Sequence, residues 1–153
     1  MRSNIETSGA LELIWRKRFR RGPMDLLTSV ELRAGKGLNG NVEIGGQRQV
    51  TLICRERWNV ITESLGYPID PSIRRANLLV SGLDLENSRG HILRVGSCRL
   101  RINGETRPCE RMDEAAPGLR AALDLNWGGG AYAEVIDNGT ISVGDVVAWE
   151  ENT

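Results

Sequence analysis

The 153-residue sequence predicts a mainly β fold: an antiparallel, strand-rich barrel carrying a few short helices. Two observations predict it. Apolar residues recur with a period of two in short runs, as in Cys98-Arg99-Leu100-Arg101-Ile102, where arginine occupies the alternate positions of a half-buried strand. Helical spacing is confined to two stretches, residues 55–65 and 119–125.

The elements follow in order. Residues 11–19 alternate, with Leu11, Leu13 and Trp15 on one side and Arg16, Arg18 and Arg20 on the other. The basic run at 16–21 reads as a charged strand edge that discourages pairing, in preference to a nucleic-acid stripe. Arg21-Gly22-Pro23 breaks the chain, and residues 26–33 form a second strand. A third spans 48–54, with Val50, Leu52 and Cys54 on one face. Trp58, Ile61 and Leu65 define a helix over 55–65 that Gly66 ends. Pro68 and Pro71 bracket a loop before a buried strand at 77–80, turned by Ser81-Gly82. Residues 92–95 and 98–102 form a hairpin around Gly96-Ser97. A second short helix opens after Pro117-Gly118. Residues 132–136, the turn Asp137-Asn138-Gly139 and residues 141–149 are expected to close the chain as a strand pair. Residues 1–20 are expected to form an N-terminal strand packed on a domain of residues 21–150, one domain overall.

Composition excludes several functions. Lys+Arg and Asp+Glu both number 20, so no net field draws the protein to nucleic acid or an anionic membrane. No apolar run is long enough to span a bilayer, and residues 1–7 lack the apolar core of a signal peptide. Three cysteines without a Cys-x-x-Cys pair argue against a disulfide framework or a zinc knuckle. The expectation is a cytoplasmic protein. Arginine outnumbers lysine by 18 to two. Genome composition is the preferred explanation of that bias; the functional alternative is that guanidinium forks suit bidentate recognition of phosphate, carboxylate or oxyanions. Neither Lys17 nor Lys36 is placed for Schiff-base chemistry. Gly35-Lys36-Gly37-Leu38-Asn39-Gly40 matches G-x-G-x-x-G, yet Asn41-Val42-Glu43-Ile44-Gly45-Gly46 cannot sustain the helix that dinucleotide binding requires, so it reads as a loop. His91, the single histidine, sits in a turn and reads as a surface residue.

The cysteines differ. Cys54 and Cys98 lie on apolar strand faces and read as small core residues. Cys109 follows a proline in Arg107-Pro108-Cys109-Glu110-Arg111, a polar loop in which both arginines favour a thiolate and Glu110 opposes them. It is a thiol available for chemistry or metal ligation; the alternative is an incidentally exposed cysteine.

The ordered segments carry a resemblance. They are Arg21-Gly22-Pro23-Met24, Gly35-x-Gly37-Leu38-x-Gly40, Arg48-Gln49-Val50-Thr51-Leu52-Ile53, Asp70-Pro71, Arg74-Arg75-Ala76-Asn77-Leu78 and Gly82-Leu83. Then come Gly96, Arg107-Pro108-Cys109 and Gly139-x-Ile141-x-Val143-Gly144-Asp145. From about residue 21 to 149 the chain resembles the MOSC domain, the C-terminal domain of molybdenum-cofactor sulfurases, also found as small stand-alone bacterial proteins. One departure is Asn41, where stand-alone members commonly carry Asp after Gly40.

The resemblance implies a strand-rich barrel and a cysteine, here Cys109, that carries sulfur as a persulfide or ligates molybdenum. Thiolate is suited to both tasks. It further implies that Arg75 and Asn77, matching the Arg-x-Asn of the amidoxime-reducing relatives, together with Arg48 and Arg107, bind the molybdenum cofactor (molybdopterin). A loop-to-strand cap is the structural alternative for Arg75 and Asn77. The activity implied is sulfur transfer, or molybdenum-dependent reduction of N-hydroxylated compounds. Partners would be a pyridoxal-phosphate-dependent cysteine desulfurase acting in trans, since the chain is too short to contain that domain, and an electron-transfer protein. The competing reading is a non-catalytic barrel that binds a small anionic ligand or partner protein.

Overall fold

The structure, a computed structural model, describes residues 8–150. The N-terminal stretch 1–7, read above as lacking a signal-peptide core, lies outside them. Eleven strands and three short helices follow one another: β1 (Ser8–Lys17), β2 (Met24–Leu27), β3 (Ser29–Arg33), β4 (Gly37–Leu38), β5 (Val50–Cys54), α1 (Arg55–Leu65), β6 (Leu78–Ser81), β7 (Ile92–Val95), β8 (Cys98–Glu105), α2 (Arg111–Ala115), α3 (Leu119–Leu123), β9 (Ala131–Val135), β10 (Gly139–Ser142) and β11 (Val146–Trp149).

Seven strands close a barrel in the order β11-β7-β8-β9-β5-β6-β1, and β1 pairs back with β11. β2 continues alongside the far end of β1, while β10, β3 and β4 form a separate small sheet. Closure removes the exposed edges that short strands would otherwise present. One pair departs from the antiparallel expectation: β5 and β6 run parallel, because α1 carries the chain across between them.

Two apolar clusters result. Leu52, Cys54, Leu78, Val80, Cys98, Leu100 and Ile102 fill the barrel interior. Ile53 and Leu79, their neighbours in sequence, face outward and pack with Trp58, Ile61, Leu119 and Leu123 of the helices. That two-sided burial explains why β5 and β6 read as nearly continuous apolar runs. Helix α1 ends as expected, with Gly66 in the left-handed conformation at φ 84°. Among the described residues no helix is long and apolar enough to cross a membrane.

Four expectations are corrected. Leu11, Leu13 and Trp15 do not share a face: β1 shifts register between Leu11 and Leu13, placing Leu11 in the barrel and Leu13 and Trp15 against the helices. Arg16 and Lys17 are not an unpaired edge, since they pair with Asp25 and Met24 of β2. Residues 26–33 are two strands in two sheets. Leu27 and Val30 both face the barrel core, which no single period-two strand allows, and the break falls at Thr28. Residues 141–149 likewise divide at Gly144 (φ 98°), and β10 pairs with β3 rather than with β9.

Candidate functional site

The site forms where three irregular segments meet at one end of β5 and β6. The first is the 3-10 turn Pro71–Arg74. Asp70 starts it, accepting from the Ser72 amide at 2.8 Å, with Pro71 at its first position. Arg75 ends it in the left-handed conformation, φ 64°. Such a conformation is uncommon for a residue with a side chain, and an anchor accompanies it: Arg75 Nη2 donates to the Gly22 carbonyl at 2.8 Å.

The second segment, residues 106–112, carries the cysteine. Thr106 is buried and its hydroxyl donates to the Gly129 carbonyl at 2.6 Å. Pro108 is buried, Cys109 exposed and Met112 buried again at the start of α2. The third is the run Gly128-Gly129-Gly130. A side chain at Gly129 would collide with the Thr106 carbonyl and lie 3.1 Å from the Arg74 guanidinium, so glycine permits the close approach.

Arg74 joins the three. Its Nε donates to the Gly129 carbonyl at 2.9 Å and its Nη2 to the Thr106 carbonyl at 3.2 Å. Burial lowers its pKa; among nearby charges, ionised Cys109 opposes that shift and the Arg48 guanidinium adds to it. A guanidinium nonetheless stays protonated. Arg74 therefore holds the cysteine loop and keeps a positive charge beside it.

These segments line a groove of about 470 Å³. The structure brings all five sequence-identified residues to it: Cys109, Arg48, Arg75, Asn77 and Arg107. Arg48 lies over the Tyr132 ring, 4.8 Å from its centroid. Arg107 pairs with Asp124 at 3.0 Å. Asn77 is buried and its amide is saturated. Oδ1 accepts from the Thr51 amide (3.0 Å) and hydroxyl (3.3 Å), while Nδ2 donates to the Trp15 carbonyl (3.2 Å) and Asn41 Oδ1 (3.3 Å). It serves the capping role set out above as the structural alternative. Sequence reasoning did not single out Arg74, Lys17 or Met112 as groove residues. The adjacent Arg74-Arg75 pair and the three-glycine run were the available signals.

A second concavity, of about 410 Å³, lies beside Cys54, Val60 and Leu83. Its thiol donates to the Leu83 carbonyl at 3.1 Å, and burial pushes its pKa up to about 11. Burial raises the Cys98 thiol as well. Both are held protonated, as inert core residues should be. The larger, polar groove at Cys109 is the better reaction site.

The MOSC domain family matches residues 39–148. The chain belongs to this family. Among solved structures, this MOSC domain is similar to the YuaD protein of Bacillus subtilis, with 20% identity and a TM-score of 0.79 over 95% of this chain and 97% of that one. It is also similar to YiiM from Escherichia coli (16% identity, TM-score 0.70, 94% of this chain and 71% of that one). YiiM from Geobacillus stearothermophilus gives 16% identity and a TM-score of 0.69, over 94% and 73% of the two chains. At these identities the likeness shows the shared fold. No curated protein matches the chain.

Proposed function

We propose that this MOSC domain works through Cys109 as a sulfur carrier, the thiolate accepting sulfur as a persulfide. The observation that supports the reading is the contrast among the three thiols: Cys54 and Cys98 are buried with raised pKa values, whereas Cys109 is exposed on a cation-lined groove. Thiolate is the nucleophile of sulfur transfer, and neighbouring cations favour it.

The size of the groove favours a second role for the same residue, as the thiolate ligand of a molybdenum cofactor. A persulfide alone needs far less than 470 Å³. The donor set fits the group. Cys109 supplies a soft ligand, and the guanidiniums of Arg48, Arg75 and Arg107 suit the phosphate of a pterin. Among the described residues no cluster of three His, Cys, Asp or Glu side chains could hold a metal unaided, which agrees with a metal that arrives already chelated. When bound, the cofactor supplies two-electron redox chemistry. The chain's own part is to hold it: Arg74 fixes the loop that presents Cys109, and Asn77 holds the groove wall rather than donating to a ligand.

A cysteine desulfurase in trans would serve the carrier role, and an electron-transfer protein the redox role. The test is mass and metal analysis of protein purified anaerobically from a molybdenum-replete host. The expected result is persulfide on Cys109 or stoichiometric molybdenum with pterin. Its failure would leave the barrel as a non-catalytic module for an anionic ligand.

A further inference from the structure

We propose that the groove takes a small sulfur-bearing dianion of the thiosulfate class as a direct sulfur donor to Cys109. The proposal rests on the persulfide reading and adds a donor that needs no partner enzyme.

A local charge imbalance carries it. Lys17 and Arg107 have carboxylate partners, Glu43 and Asp124. Arg48, Arg74, Arg75 and Arg111 line the same groove and have no carboxylate partner among the described residues. The chain as a whole balances 20 cations against 20 carboxylates, whereas the groove lining holds six cations (Lys17, Arg48, Arg74, Arg75, Arg107 and Arg111) and one carboxylate, Glu43. The partners of Arg74 and Arg75 are mainly backbone carbonyls, which satisfy N–H donors without neutralising charge. Arg48 rests on an aromatic face, which leaves its N–H edge available. The Arg48 guanidinium acts unfavourably on that of Arg74, and an anion entering the groove would offset that repulsion.

The chemistry explains the need. Attack on thiosulfate brings a thiolate against a dianion, three negative charges in contact, and only fixed cations make that approach favourable. The thiol first releases its proton to solvent. The Cys109 thiolate then attacks the outer sulfur of S–SO₃²⁻. A new S–S bond forms as the old one breaks, and sulfite departs with the bonding pair. Cys–S⁻ and S–SO₃²⁻ become Cys–S–S⁻ and SO₃²⁻, with the same total charge and no outside oxidant or reductant. Cyanide can then take the terminal sulfur as thiocyanate and return the thiolate.

The experiment incubates the reduced full chain with thiosulfate. It reads the intact mass, the modified peptide, thiocyanate release with cyanide, and competition by inorganic sulfate, a dianion that cannot donate sulfur. One sulfur atom should be added at Cys109 and none at Cys54 or Cys98. Arg48→Gln and Arg111→Gln should each raise the KM for thiosulfate about tenfold, and weaken competition by sulfate in parallel, because each removes a charged donor. Loading by a cysteine desulfurase but not by thiosulfate would overturn the donor and leave the carrier reading intact. Loading by neither would remove both. Thiosulfate loading with unchanged KM and unchanged sulfate competition in the Arg48→Gln/Arg111→Gln double variant would overturn the anion site.

Discussion

Asn77 Nδ2 donates to Asn41 Oδ1 across 3.3 Å, joining residues 36 positions apart in the chain. The same oxygen accepts from the Lys17 amide at 2.9 Å, and Asn41 Nδ2 donates to the Glu43 carbonyl at 3.1 Å. Asn41 is therefore a buried bridge between β1 and the groove wall. Asn41→Asp keeps both accepted bonds, whereas Asn41→Leu orphans the Lys17 amide. Urea unfolding should show Asn41→Leu to be the worse variant by about 1–2 kcal/mol. Asn77→Ala should cost about 2–4 kcal/mol, since it leaves several buried partners unsatisfied. Equal stability of the two Asn41 variants would contradict the bridge.

Arg74 is expected to matter for the order of the cysteine loop. Arg74→Met keeps much of the stem but leaves the Thr106 carbonyl without its donor and the Gly129 carbonyl with the Thr106 hydroxyl alone. Stability should fall by about 1–3 kcal/mol. Amide exchange should accelerate in residues 106–112 more than in the barrel strands. Uniform acceleration across the chain would show that Arg74 does not act on this loop.

The thiols should separate by reactivity. Limiting iodoacetamide on the native protein should label Cys109 at least about tenfold faster than Cys54 or Cys98, because burial raises both of the latter. Peptide mapping reads the ratio, and equal labelling of all three would refute the contrast.

Cys54 gives a pH prediction with a definite sign. Its thiol pKa rises from 9.0 to about 11 on folding. Below pH 9 both states are protonated and this stability is fully present. Between pH 9 and about 11 the unfolded thiol ionises first, so stability falls as pH rises. The contribution lost is about 2–3 kcal/mol. Cys54→Ser, whose hydroxyl can still donate to Leu83, should show a shallower alkaline loss across that window. Parallel curves for the two proteins would refute the assignment.

Much of the barrel was legible because its strands have one buried face or two. Cys98, Leu100 and Ile102 alternate with arginine, and α1 carries its apolar residues at helical spacing. Discontinuities were not legible. The register shift in β1 inserts no unusual residue, and Thr28 looks like any strand residue although it separates two sheets. Helix α2, five residues long with Met112 as its one buried side chain, is too short for periodicity to register. At the site, Cys109 stood out because its surroundings are polar. Arg74 did not, because which of two adjacent arginines turns inward is decided by the left-handed residue that follows the 3-10 turn.

Cys109 is the residue proposed to carry the chemistry. That role is tested most directly by Cys109→Ser, compared with wild type for persulfide loading from a cysteine desulfurase with labelled cysteine and for molybdenum retention. Serine cannot form a persulfide, and an exposed position should contribute little to stability. Loss of both loading and metal with an unchanged thermal melt is the expected result. A Cys109→Ser protein that still loads sulfur and holds molybdenum like wild type would contradict it.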